Sequence, residues 1–435
     1  MSESLIKVFK EKILSGLGKD ILYTLGSQVA IMILALVVNK LLSNMLGVDG
    51  YGQYGIIKKS SAVLSFVMLG GMGIALPRYF SSFIARKEPE NAKSTVVASL
   101  LVIVLLSAVV VTACILLKNK MFFLVVGNSD SAMYFAALVY AFSITSSSLL
   151  YAYYRGANSF KNYAVSQVMI QVIITVCTIF FGGNLQLVLY LWSFSAIIYV
   201  LFSIIFERKS NDLYKDNPVS WNNSVSFVTR ILLKYGMPRM VGDFFLFSFA
   251  AFTLVYINEK TGLRSSSFFA AGLTLTSLIT PFFSYTGMVL LPYVSTSIAE
   301  NTFRQSDKIV NRLFFLNVTI SLLAIIVLWF GMDFFIRLFF SAEFLPAVEV
   351  SKILMVSILF ESVYFLLRNP IDASSIFPYN TINLFISLIV LVVAFSFSNT
   401  LIDFAMAYLA ATALKALLTM FSWFLCRKKI INETR

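Results

Sequence analysis

The chain contains no histidine, and that absence removes imidazole acid–base catalysis, histidine metal sites and Ser-His triads from consideration. Cysteine is scarce: Cys114, Cys177 and Cys426 lie in or at the end of apolar runs with no pairing pattern, so they read as core residues. The one glycine-lysine candidate for a phosphate loop, Gly16-Leu17-Gly18-Lys19-Asp20, has neither the spacing nor the Ser/Thr, which argues against ATP hydrolysis by this chain. Charge is sparse too, with 13% of 435 residues charged against about 25% in soluble domains. The longest hydrophilic segment runs only from Glu207 to Lys234.

What is present is apolar. Hydrophobic residues make up 59% of the chain and mean hydropathy is +0.84, the composition of an integral membrane protein. A helix crossing about 30 Å of hydrocarbon needs roughly 20 mostly apolar residues. Uncharged runs of 24 residues lie between Lys93 and Lys118 and between Asp130 and Arg155. A run of 45 from Asn162 to Phe206 is interrupted at Gly182-Gly183-Asn184, which predicts two spans joined by a tight turn. Ser265 to Ala299, Leu313 to Met332 and Ala373 to Ile402 give three more. Spans holding one or more charges cover about 21–46, 52–80, 232–257, 346–370 and 401–426. The reading is an all-α membrane protein with about twelve transmembrane helices.

Lysine and arginine set the orientation, since short cytoplasmic loops carry the excess. With the N-terminus inside, 23 of the 34 basic residues fall on cytoplasmic segments, so both termini are expected in the cytoplasm. Most of the net charge of +13 then reflects topology and attraction to anionic headgroups. No basic soluble domain exists to bind nucleic acid. Residues 1–20 space Leu5, Ile6, Phe9, Ile13, Leu14 and Leu17 among lysines at near-helical intervals, predicting an amphipathic helix on the cytoplasmic surface.

An internal repeat supplies the architecture. Gly73-Ile-Ala-Leu-Pro-Arg-Tyr-Phe-Ser-Ser-Phe-Ile-Ala85 aligns without gaps on Gly287-Met-Val-Leu-Leu-Pro-Tyr-Val-Ser-Thr-Ser-Ile-Ala299, with six of thirteen positions identical at an offset of 214 residues. This predicts two six-helix bundles of the same orientation, 21–206 and 231–435, around a central cavity and joined by a cytoplasmic linker, 207–230. The second copy has Pro292 where the first has Arg78.

Several stretches resemble the polysaccharide transporter family: Leu46-Gly47-Val48-Asp49-Gly50-Tyr51-Gly52-Gln53-Tyr54-Gly55, the Gly73 to Tyr79 element, Tyr154-Arg155-Gly156 and Leu233-Lys234-Tyr235-Gly236-Met237-Pro238. That family is grouped with the multidrug and toxin extrusion transporters and the lipid II flippases. The resemblance implies a non-enzymatic flippase that moves an undecaprenyl-diphosphate-linked oligosaccharide, an O-antigen or capsule repeat unit, across the bacterial cytoplasmic (inner) membrane by alternating access. It implies no cofactor beyond a coupling Na+ or H+, action as a monomer, and a polymerase and glycosyltransferases as functional partners. A drug/cation antiporter of the same superfamily is the alternative; it should prefer an acidic or apolar lumen. A membrane glycosyltransferase would need a catalytic polar loop, which the sequence does not offer.

Ionisable groups within spans are the candidate site residues, because burying charge in hydrocarbon is costly. Lys40, Lys58 and Lys59 lie toward the outer side, and Arg78, Arg155, Arg239 and Arg368 toward the inner side. Arginine grips phosphate with two parallel hydrogen bonds where lysine acts as a point charge, so diphosphate capture is assigned to the arginines. Arg78, Arg155 and Arg368 equally suit interfacial anchoring. Lys58 and Lys59 are adjacent, about 100° apart on a helix, so one of them faces the lumen. Asp243 has two readings: neutralising Arg239 four residues away, or binding sodium or a proton together with Glu361. Asp403 and Lys415 are twelve residues apart, roughly 18 Å along a helix, too far to pair. Prolines such as Pro77, Pro238 and Pro370 inside spans need neighbours to satisfy the carbonyls they free.

Overall fold

In the computed structural model the described residues are 16–210, 224–300, 302–375 and 377–433. Among them there are α-helices, one short 3-10 turn and no strand. The elements are α1 (Gly16–Met45), α2 (Gly47–Leu69), α3 (Met72–Ala85), α4 (Pro89–Leu116), α5 (Lys118–Val126), α6 (Ser131–Gly156), α7 (Phe160–Phe181) and α8 (Leu185–Ser210). After residues 211–223 follow α9 (Ser224–Thr261), α10 (Leu263–Ala299), α11 (Phe303–Phe339), α12 (Ala347–Ser374), α13 (Tyr379–Ser396) and α14 (Leu401–Glu433). Residues 1–15 of the expected surface helix lie outside the described residues.

Eleven of these helices are long and apolar enough to cross a membrane, or twelve when α2 and α3, bent by 41° at their break, are counted as one span. The chain is a multi-pass membrane protein. Large apolar side chains such as Phe330, Phe397 and Phe180 stand fully outward, a surface that only lipid tolerates. Polar side chains turn inward instead. In α6 the hydroxyls of Thr145, Ser146 and Ser147 donate to the carbonyls of Ala141, Phe142 and Ser143, and such small residues let helix backbones approach closely. Asp130 caps α6 by accepting from the amides of Ala132 and Met133. Thr400 caps α14 by accepting from the Asp403 amide, and the Asp403 carboxylate accepts from the Thr400 amide in return, which accounts for a charge the sequence left unassigned.

The chain divides by its packing into two units, residues 1–46 with 60–240, and 47–59 with 241–435. The division falls inside α2 and α9. Close glycine contacts explain it. Within unit 2, a Cβ on Gly52 would strike Ser267 and the Leu263 carbonyl, and one on Gly55 would press on Ala270. Ser267 donates to the Val48 carbonyl, and Tyr51 meets Phe340 and Phe344 edge to face. Within unit 1, Val225, Val228 and Leu232 of α9 join an apolar cluster with Met72, Leu76 and Phe80 of α3.

The repeat is unequal at one point. The first copy breaks between α2 and α3 at Gly70 and Gly71, whose φ angles are +58° and +76°. At the same offset the second copy has Ser284 and Tyr285, for which the left-handed region is costly, and α10 runs unbroken through them. Both copies end their helices at the matched alanines, Ala85 and Ala299.

Gly71→Ala therefore combines backbone strain with a clash against Gly236 and is expected to cost about 2 kcal/mol or more. Gly26→Ala, with open space around it in mid-helix, should stabilise by about 0.5–1 kcal/mol. Thermal unfolding of both purified variants checks the contrast.

Candidate functional site

A close helix approach in unit 1 places its charges. Gly71 at the start of α3 lies against Gly236 of α9, so near that any Cβ on Gly71 would meet the Gly236 backbone. Arg78 stands two turns beyond Gly71 on the same helix face, while Tyr235 and Arg239 flank Gly236. The guanidinium of Arg239 sits 3.8 Å from the Tyr235 ring centre and that of Arg78 sits 4.4 Å from it. Tyr79 supports the platform, meeting Tyr235 edge to face at 5.7 Å. Arg239 also donates from Nη1 to the Tyr235 carbonyl at 3.3 Å.

Two guanidiniums on one ring repel each other, and each gains only about 0.5–1 kcal/mol from the ring where water reaches it. Neither forms an ion pair with a carboxylate among the described residues. An anion with several oxygens, a phosphate or diphosphate, is the ligand chemistry that relieves this repulsion.

Arg155 has a different task. Pro77 lacks the amide that would bond the carbonyl four residues earlier, that of Gly73. Arg155 Nη2 donates to that Gly73 oxygen at 2.8 Å. Gly156 makes the approach possible, since a Cβ there would meet the Pro77 backbone and Phe80. The Tyr-Arg-Gly stretch at the end of α6 is thus a clasp on the proline of α3.

In unit 2 the expected ion-coupling carboxylates each hold a basic side chain. Asp243 pairs with Arg368 at 2.8 Å, and Glu361 pairs with Lys415 at 2.6 Å. Asp243 does not neutralise Arg239 as helical spacing allowed; it turns to Arg368, 125 residues away. Asn380 fastens the same corner by donating to the Arg368 carbonyl and to Asp372. Arg427 pairs with Asp307 at 2.7 Å. Among the described residues no three Cys, Asp or Glu side chains gather to hold a metal ion.

The lysine candidates separate. Lys58 lies over the Tyr54 ring at 5.3 Å, and Lys59 beside it pairs with no carboxylate among the described residues. Lys40 is half-buried in the last third of α1. Unit 1 also holds a cavity of about 240 Å³ with uncharged walls that include Tyr140, Ser147, Tyr151, Gln167, Gln171 and Trp192. Aromatic faces with hydroxyls and amides suit a neutral polar group.

Sequence reasoning missed Tyr235 and Tyr79 as platforms and Lys415 as the partner of Glu361. Tyr235 carried a local signal, its spacing of four from Arg239; Lys415 and Glu361, 54 residues apart, carried none.

Residues 17–298 match the family described as polysaccharide biosynthesis protein. Comparison with curated proteins by sequence gave no match. Among solved structures, an inward-facing multidrug resistance MATE family transporter of the MOP superfamily is 14% identical with a TM-score of 0.75, covering 92% of this chain and 95% of that one. A eukaryotic MATE transporter gives 13%, 0.69, 96% and 99%. The lipid II flippase MurJ in an inward closed conformation gives 16%, 0.69, 93% and 87%. Identities this low establish the shared fold.

The proline clasp makes a testable claim. Arg155→Ala should cost about 1.5–3 kcal/mol, the value of a charged hydrogen bond to an otherwise unpaired carbonyl. In a Pro77→Ala background, where the amide of residue 77 returns to Gly73, the same substitution should cost less than half as much. Thermal unfolding of the four proteins measures the difference.

Proposed function

This chain belongs to the polysaccharide biosynthesis protein family, and on that premise we propose that it is a flippase for an undecaprenyl-diphosphate-linked oligosaccharide, an O-antigen or capsule repeat unit. It would act by alternating access in the bacterial cytoplasmic membrane, as a monomer with both termini in the cytoplasm. Glycosyltransferases that build the repeat unit and a polymerase that consumes it are its functional partners. The task is physical: a diphosphate and several sugars must pass hydrocarbon that penalises their exposure. The protein supplies positive charge along the way and leaves the lipid tail in the bilayer.

The observation that carries this reading is the pair of guanidiniums, Arg78 and Arg239, held on Tyr235 without an ion-pairing carboxylate among the described residues. Lys58 and Lys59 add further positive charge on α2. Arg368, matched to Asp243 at 2.8 Å, becomes available to the cargo only when that pair opens. A coupling ion then has a defined place in the reading: a proton or sodium ion taken up by Asp243 as Arg368 turns to the diphosphate. The uncharged, aromatic cavity of unit 1 supports a cargo with neutral polar groups.

The likeness to MATE transporters in fold favours a second reading, a drug/cation antiporter. The paired arginines disfavour a cationic cargo.

Arg78→Ala and Arg239→Ala should each weaken binding of a short-chain prenyl diphosphate by roughly tenfold, equivalent to about 1.4 kcal/mol, and the double variant should abolish surface glycan in cells that depend on this chain. Normal glycan from the folded double variant would refute the role of the pair. Asp243→Asn should remove the dependence of export on the ion gradient; unchanged gradient dependence would refute its coupling role.

A further inference from the structure

The most deeply enclosed charge in unit 2 has no part in the reading above. Lys415, in the middle of α14, is 1% exposed. Its ammonium donates to Glu361 Oε1 at 2.6 Å and lies over two rings, Phe249 at 5.1 Å and Tyr364 at 4.8 Å. Phe249 and Tyr364 are themselves buried.

A carboxylate oxygen and two aromatic faces form the coordination chemistry of a small monovalent cation or a primary ammonium. The three elements that provide it are separate: α9 brings Phe249, α12 brings Glu361 and Tyr364 one turn apart, and α14 brings the ammonium. A lysine side chain reaches this place on a flexible four-carbon stem. If the pair served packing alone, two apolar side chains of the same volume would do as well, since a buried ion pair barely offsets its own desolvation.

We propose that Lys415 is a tethered cation occupying a monovalent-cation site built around Glu361. The chain carries at this carboxylate the positive charge that a free ion would otherwise bring, and Glu361 takes no sodium in the working protein. Asp243, whose partner Arg368 is partly exposed, is left as the carboxylate open to exchange. The proposal concerns the site itself and holds whatever the cargo is.

The test is thermal unfolding of the purified full chain in equal concentrations of sodium, propylammonium or N-methylglucamine chloride. Propylammonium has the length of the atoms that Lys415→Ala removes. Wild type should melt at the same temperature in all three. Lys415→Ala should melt roughly 5 °C or more lower in N-methylglucamine, and at least half of that loss should return with sodium or propylammonium. Adding Glu361→Gln to Lys415→Ala should abolish the cation response. If Lys415→Ala is not recovered as folded protein, Lys415→Ser, whose hydroxyl keeps the vacated space polar, is scored in the same way. Two results would overturn the proposal: sodium stabilising wild type but not Glu361→Gln, or neither small cation restoring the lysine variant.

Discussion

Hydrocarbon offers no hydrogen-bond partner, and that single constraint sorts the charges of this chain. Inside a membrane a polar group must be satisfied by the protein itself or by what the protein carries. Among the described residues Arg155 is held by the Gly73 carbonyl, Arg368 by Asp243, Lys415 by Glu361 and Arg427 by Asp307. Arg78 and Arg239 rest on the face of Tyr235, a weaker support than a carboxylate. Under the proposed function, the arginines without a carboxylate partner among the described residues are the ones a polyanionic cargo recruits.

The short motifs become intelligible as packing devices that position this charge. Gly52 and Gly55 permit α2 to lie on α10, and Gly71 permits α3 to touch α9 at Gly236. That second contact is what brings Arg78 within reach of Tyr235. Pro77 removes an amide from α3, and Arg155 from α6 replaces it, so the helix that carries Arg78 is clasped one residue before it. Substituting small residues at the seams would move the arginines without touching them. The left-handed pair Gly70 and Gly71 has no counterpart in the unbroken α10, and the two copies of the repeat have diverged at the point where the site is built.

The helical spans were legible because hydrophobic length is a local property. Seven of the expected spans follow from uncharged runs and five from runs holding one or more charges, and even the turn at Gly182-Gly183 stands between α7 and α8. The break at Gly70-Gly71 inside the second span was not read, although two adjacent glycines are a fair signal of left-handed backbone. The site was legible only in its inventory. Arg78 and Arg239 were named, but their shared ring was not, because residues 78 and 235 meet through a glycine contact that no periodicity encodes. Arg155 was left between anchor and ligand; its role depends on knowing which carbonyl Pro77 frees and what lies opposite. Helical spacing offered Arg239 to Asp243, and tertiary packing gave Asp243 to Arg368 instead.

The chain belongs to the polysaccharide biosynthesis protein family, shares the fold of MATE transporters and MurJ, and holds two arginines on one tyrosine ring. The most direct measurement places the purified chain in liposomes with an undecaprenyl-diphosphate-linked oligosaccharide in one leaflet and follows its arrival in the other. The account predicts transfer by wild type and its loss when Arg78 and Arg239 are both alanine. Liposomes in which wild type moves the lipid no faster than protein-free bilayers would contradict it.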